Sequence, residues 1–170
     1  MLIDCSYFTK GTRHILNATM GTADLPQYPS GAEVNNAILG YIEEFQSEFL
    51  IAMLGATLGN KVHTYLVCRD DDEKPPYVES FEEVCERLKE PFADYVFFHI
   101  LRDSNTQATM TGLVKLKTAN TIVAPVRRQV NVWNSMVRKN RLFAEWAKDA
   151  ALDDIVVSAE MTTPINALNI

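Results

Sequence analysis

From Glu33 to Met53 the apolar residues recur at steps of three and four. Val34, Ile38, Tyr41, Ile42, Phe45, Phe49, Leu50 and Met53 take one face, while Glu43, Glu44, Gln46, Ser47 and Glu48 take the other. A strand would bury every second residue, so this spacing sorts its apolar side chains together only as a helix, which ends near Gly55. An isolated amphipathic helix is marginal in water. The rest of the chain must therefore supply matching apolar faces.

Those faces are visible. A second helix is expected over Thr57 to Cys68, with Leu58, Val62, Tyr65 and Leu66 apolar. Residues 69–79 read as an acidic loop bearing Pro75 and Pro76. Ser80 with Glu83 three residues on is a capping-box signature. The apolar positions Phe81, Val84, Cys85 and Leu88 continue past Pro91 into Phe92, Tyr95, Val96, Phe98, His99 and Leu101, and Pro91 is expected to kink or divide this helix. Residues 103–123 read as a loop or short β-hairpin that protrudes from the helices. Pro125 suits the first turn of a last helix whose apolar face is Val126, Val130, Trp133, Met136, Val137, Phe143 and Ala147. The first 31 residues are punctuated by Gly11, Gly21, Gly31, Pro26 and Pro29. They read as an extended arm with one short helical turn around His14 to Asn17.

The expected fold class is all-α: a small four- to five-helix bundle with a protruding loop or short β-hairpin and extended N- and C-terminal arms. Its divisions are an N-terminal arm (1–31), a helical domain (32–148) and a C-terminal tail (149–170). With 47% hydrophobic residues the chain can bury a core, which excludes wholesale disorder. Its longest apolar stretch, Phe49 to Leu58, falls far short of the ~20 residues that span a bilayer, so no membrane partner is expected. The start of the chain shows no signal-peptide pattern. The cysteines Cys5, Cys68 and Cys85 form no CxxC pair, suit a reducing compartment and read as small buried hydrophobes.

Catalytic signatures are missing. The chain has no phosphate-binding glycine loop, no HExxH, no GxSxG and no Glu-x-x-His pair. His14, His63 and His99 lie on separate segments, and His99 reads as a partly buried structural histidine. Cys85 and His99 would stand roughly 21 Å apart on a straight helix. Asp70, Asp71, Asp72 and Glu73 match no EF-hand loop and read as a solvated acidic loop. No catalytic, metal-binding or cofactor-binding residue is assigned, and no cofactor is expected.

Charge is more informative. The chain carries a formal net charge of -6, which gives no global basic field for nucleic acid. Locally the signs separate. Between Lys115 and Lys148 lie Lys115, Lys117, Arg127, Arg128, Arg138, Lys139, Arg141 and Lys148 against the single acid Glu145. Between Asp70 and Asp94 lie ten acids against Lys74, Arg87 and Lys89. This polarity has three readings: solvated helix faces that interact within the monomer, a basic segment that meets a phosphate backbone, or a head-to-tail contact between subunits that closes into a ring.

Four blocks carry a resemblance. The first is Tyr41-Ile42-Glu43-Glu44-Phe45-Gln46-Ser47-Glu48-Phe49-Leu50 followed by Met53-Leu54-Gly55. The second is Phe92-Ala93-Asp94-Tyr95-Val96-Phe97-Phe98, running into Leu101-Arg102-Asp103 and Thr106-Gln107. The third is Thr111-Gly112-Leu113-Val114-Lys115, and the fourth is Val130-Asn131-Val132-Trp133-Asn134-Ser135-Met136-Val137. In order and spacing they resemble head–tail connector (adaptor, neck-ring) proteins of tailed bacteriophages, in particular those of Bacteroides-type hosts, including the crAss-like group. The resemblance spans roughly residues 33–148.

It implies a non-catalytic virion protein, assembled in the host cytoplasm and located at the head–tail neck. Such a subunit belongs to a homo-oligomeric ring, of about twelve copies by resemblance, that joins the portal protein to tail or further neck proteins. DNA passes through the lumen without sequence-specific binding. Asp70, Asp71, Asp72, Leu113, Lys115, Lys117, Arg127, Arg128, Arg138 and Arg141 are then candidate contacts to a neighbouring subunit or partner. The arginines are expected to pair partly with a neighbour's acids, and Phe45, Phe49, Tyr95, Phe98 and Trp133 are expected to be packing residues. The alternative is a non-catalytic DNA-binding packaging or regulatory protein that uses the basic segment 115–148.

Overall fold

The computed structural model describes residues 1–19, 29–70, 77–103, 106–109, 112–115, 126–150, 152 and 154–168. Long helices dominate it: α1 (Pro29–Leu54), α2 (Ala56–Asp70), α3 (Glu79–Asp103) and α4 (Val126–Asp149), with a short α5 (Ala159–Thr162) near the end. The chain is thus a small all-α bundle. Between α3 and α4, strands β1 (Thr106–Thr109) and β2 (Gly112–Lys115) pair antiparallel, Thr106 opposite Lys115 and Thr109 opposite Gly112. The Pro75–Pro76 loop and the Pro125 helix start lie outside the described residues, as does the stretch from Met20 to Tyr28.

One residue separates α1 from α2. Gly55 sits at φ +81, the left-handed region that glycine enters without a Cβ penalty. Its N–H donates to the Ile51 carbonyl at 2.9 Å, closing α1, and its own carbonyl accepts from Gly59 N–H at 2.9 Å, opening α2. Gly59 lets the two helices touch backbone to backbone. A Cβ there would lie 2.7 Å from the Ile51 Cα and 2.8 Å from the Leu50 carbonyl oxygen.

α3 begins one residue before Ser80. The N–H groups of Phe81 and Glu82 both bond to the Val78 carbonyl, so Ser80 lies inside the first turn and the capping box expected there does not form. Pro91 does not divide the helix. The ring removes one backbone hydrogen bond, but Leu88, Phe92, Ala93, Tyr95 and Val96 are all buried around it. Packing on both sides holds the two halves in one helix.

The core is aromatic at its centre. Phe49 of α1 lies 5.1 Å from Phe92 and 5.4 Å from Tyr95, centroid to centroid. Phe45 meets Tyr95 edge-on at 5.9 Å. Across the next seam, Trp133 of α4 lies 4.9 Å from Phe98 and 6.3 Å from Tyr95. Offset and edge-on contacts of this kind contribute beyond the area they bury.

Both termini depart from the extended arms that their composition suggests. Leu2, Ile3, Cys5 and Phe8 are core residues, and Phe8 is 0% exposed, 6.5 Å from Phe97. The helical turns fall at Cys5–Phe8 and Gly11–Arg13, and the stretch around His14 to Asn17 makes a β-turn instead of a helical one, with Ala18 N–H bonded to the Ile15 carbonyl at 3.2 Å and Asn17 at φ +68. Asp4 caps the first turn by accepting from Ser6 N–H at 2.8 Å. The Leu2 N–H reaches the buried Gln46 amide oxygen at 2.6 Å. Asn35, buried in α1, holds Thr19 through a pair of contacts at 2.8 and 3.1 Å.

The C-terminal segment straps the bundle. Its Ser158 N–H bonds to the Ala52 carbonyl of α1 at 2.8 Å. Farther along, the Trp133 indole donates to the Thr163 carbonyl, the Asn140 amide to the Met161 carbonyl, and Asn134 exchanges two bonds with Ile165. This explains a departure on α4. Gln129 and Asn140 are buried, whereas Val126 and Val130 are only half-buried. Asn140 turns inward because a peptide carbonyl waits there.

The Gly59 contact is testable. Gly59→Ala should destabilise the chain by about 1–3 kcal/mol, because the clash is with backbone rather than with a side-chain tip. Gly40→Ala, on α1 with open space around it, should be neutral or stabilising by up to about 1 kcal/mol. Urea unfolding of both variants measures the contrast.

Candidate functional site

Charge gathers where α3, α4 and the N-terminal segment meet. Asp94 is 3% exposed. One of its carboxylate oxygens accepts from Arg13 and the other from Lys139, each at 2.6 Å. Glu90, one turn earlier, joins the same two cations at 2.8 and 3.4 Å. A buried carboxylate needs such partners, since an unpaired charge costs several kcal/mol. Burial alone would lower the Arg13 pKa, but bonds to Glu90 and Asp94 outweigh it and raise the value. At Glu90, burial pulls upward and is outweighed by Arg13 and Lys139, so its carboxyl lies below the usual range. The acidic and basic stretches of the sequence therefore meet partly within one molecule. Arg87 adds a cation–π contact to the same seam, 4.1 Å over the Trp146 ring.

The candidate contact residues divide accordingly. Arg128 donates to the Thr12 carbonyl at 2.8 Å and lies 4.8 Å over the Phe97 ring. Arg141 grips the Thr162 carbonyl through two nitrogens at 2.8 and 3.1 Å. Both arginines hold terminal segments of their own chain. Arg127 and Arg138 are exposed and have no ion-pair partner among the described residues. Arg138 borders a depression of about 440 Å³ together with Arg128, Asn131 and Ser135. Leu113 and Lys115 lie on β2 and Asp70 ends α2, with side chains outside the description; Asp71, Asp72 and Lys117 lie outside the described residues altogether.

A second concentration of polar groups surrounds His99. Its ring stacks 3.9 Å from Phe45 and meets Tyr95 edge-on at 4.6 Å. It is 6% exposed, and neither ring nitrogen has a hydrogen-bond partner among the described residues. Burial, helped by nearby Arg102, pushes its pKa down from 6.5 to about 4. Tyr95 donates its hydroxyl to Glu48 at 2.9 Å. Burial first, and then Glu48, raise that phenol well above its ordinary value. No group of three or more His, Cys, Asp or Glu residues suited to a metal is found among the described residues. Among the described residues no helix is long and apolar enough to cross a membrane.

Sequence patterning does not reveal Arg13, Glu48 or Glu160 as site residues. Arg13 stands in a Gly- and Thr-rich stretch without helical period, and its acids lie 77 and 81 residues away. Comparisons of the chain with protein-family models, curated proteins and solved structures return no match.

The depressed His99 pKa sets a pH dependence. The unfolded chain takes up this proton near pH 6.5, while the folded chain resists until about pH 4. The stability contributed is complete above pH 6.5 and is lost as pH falls toward 4. His99→Phe keeps an aromatic ring against Phe45 and removes the titration. Between pH 7 and pH 4.5 it should lose about 2 kcal/mol less stability than the parent chain. Urea unfolding at the two pH values measures this; equal losses would show that His99 binds its proton alike in the folded and unfolded chain.

Proposed function

We propose that this chain is a non-catalytic structural subunit of a phage neck ring, joining the portal at the capsid vertex to the tail and surrounding the DNA path. One observation carries the reading. Three of the four sequence blocks that resemble connector proteins lie on α1, α3 and α4, and they are the residues that pack on one another. Phe45 and Phe49 meet Tyr95, and Tyr95 and Phe98 meet Trp133. Apolar periodicity alone would also bring these residues together, so what favours the connector reading is the order and spacing of the blocks along the chain.

The exposed charge suits head-to-tail assembly. Arg127 and Arg138 stand free of ion pairs on α4, while Glu43 and Glu44 are exposed on α1. In a closed ring each subunit offers one such face and receives the other. Arg128 is a poor probe of this contact, because its reversal would also disturb Thr12 and Phe97. The double variant Arg127→Glu, Arg138→Glu should keep parental helicity and unfolding midpoint. It should fail to enter particles of the encoding phage, or enter at least tenfold less, as read by mass spectrometry. Antibody labelling of parental particles should mark the head–tail junction in electron micrographs. A chain absent from intact particles would overturn the reading.

A second reading has its own support. Arg128, Asn131, Ser135 and Arg138 line one depression together with Asp94, whose charge Arg13 and Lys139 already pair, and the exposed donors suit a phosphate backbone. A packaging or regulatory protein that uses it would bind duplex DNA with an affinity falling steeply with salt. Absence of binding at low salt removes that reading.

A further inference from the structure

The C-terminal strap runs antiparallel to α4. Trp133 donates to the Thr163 carbonyl at 2.9 Å, Asn140 to the Met161 carbonyl at 2.8 Å and Arg141 to the Thr162 carbonyl at 2.8 Å. Asn134 donates to the Ile165 carbonyl at 3.0 Å and accepts from the Ile165 N–H at 2.9 Å. Each of these bonds ends on a main-chain atom of the strap. An amide that closes both bonds on one residue pairs with it as a neighbouring strand would. Among the described side chains of the strap only Met161 is buried, at 3% exposed. α4 thus presents a peptide groove. Main-chain bonds supply its affinity, one apolar socket supplies its specificity, and the chain's own end fills it.

The strap is seated without being sealed in. A cavity of about 470 Å³ lies between it and the helices, lined by Glu48, Tyr95, His99, Arg102, Trp133 and the strap's own Glu160. Lifting the strap withdraws Met161 and breaks the Ser158 bond to the Ala52 carbonyl. The ring contacts of Phe45, Phe49, Tyr95, Phe98 and Trp133 do not involve it.

We propose that this groove accepts the strap of a second copy, so that two chains exchange residues 158–166. The exchanged strap makes the same bonds and buries the same methionine, so exchange sacrifices no contact. The link from Asp149 to Ser158 extends to roughly 30 Å, well beyond the ~10 Å between the axes of packed helices. Concentration decides the outcome. In dilute solution the tethered strap acts at an effective concentration of about millimolar and wins. Where copies are held side by side, a neighbour's strap competes on equal terms. While seated on its own chain the strap meets no neighbour, and exchange requires it to leave first. The inference needs two copies held together and no particular assembly, so it stands apart from the neck-ring reading.

The test is complementation between full chains. Met161→Asp removes the anchor and keeps the groove. Asn134→Ala with Arg141→Ala weakens the groove and keeps the strap. Mixed, the two variants should form a 1:1 complex in sedimentation, at least about tenfold tighter than the self-association of either. The Trp133 indole N–H signal of the Met161→Asp chain, displaced in isolation, should return to its parental position in the complex. Adding Met161→Asp to the groove variant should abolish the complex. No complex, or one that survives this added substitution, would overturn the proposal. Should circular dichroism show the Met161→Asp chain unfolded, Met161→Ala takes its place in the same mixture. Hydrogen exchange on the parent chain needs no variant. The amides of Ser158, Thr163 and Ile165 should exchange at least about tenfold faster than those of Leu50 and Val96. Equal protection would mean that the strap leaves only when the whole chain unfolds, and the proposal would fail.

Discussion

Tyr95 is where the structure is decided. Its ring touches Phe45 and Phe49 from α1 and Trp133 from α4, and its hydroxyl binds Glu48. A phenylalanine there would fill much of the same space but would leave the Glu48 contact unmade. The polar tip also matters to the cavity beside it, since it bonds Glu48, one of two carboxylates that line the cavity together with Arg102 and several rings. The core and the polar site are thus two ends of one side chain.

The termini depend on that bundle and complete it. Neither has a helical face long enough to fold alone. Each gains order by giving backbone groups to side chains that the helices already hold in place: Gln46 and Asn35 for the first segment, Trp133, Asn134, Asn140 and Arg141 for the last. Buried amides are costly unless paired: Gln46, expected on the polar face of α1, is instead buried against the Leu2 N–H, and Asn140 of α4 is buried against the Met161 carbonyl. Arms occupied in this way on their own subunit are not free to reach a neighbour, at least over the described residues. In a ring, contacts between copies would then fall to helix faces and to the β1–β2 region.

Charge obeys a similar division. The acids of α3 and the cations of α4 look in sequence like two opposed surfaces. In the fold Glu90 and Asp94 close on Lys139, with Arg13 arriving from the N-terminal segment. Asp94, the most buried carboxylate among the described residues, receives two cations, while the exposed Arg127 and Arg138 have no ion-pair partner among those residues. Burial sets that order, because a desolvated charge gains far more from pairing than an exposed one, whose pairs contribute roughly 0–1 kcal/mol.

The helices were legible because their signal is local. A repeat of three and four residues along Val34 to Met53, and again from Val84 to Leu101, can be satisfied in one way only. Gly55 marks its boundary for an equally local reason, the absence of a Cβ. The packing roles of Phe45, Phe49, Tyr95, Phe98 and Trp133 follow from the same periodicity. Other features were illegible because they are settled by partners distant in the chain. Phe8 enters the core without any period around it, Pro91 stays inside a helix because neighbours hold it, and Asn140 faces inward to meet a carbonyl 21 residues on. The cavity at His99 is the extreme case. Its two carboxylates, its indole and its imidazole come from four separate elements, and no spacing along the chain records that they meet. Periodicity alone determined that this chain folds as a helical bundle, since backbone geometry converts spacing into faces. Which polar groups share a site was decided only when those faces packed, because burial and pairing act on distance in space.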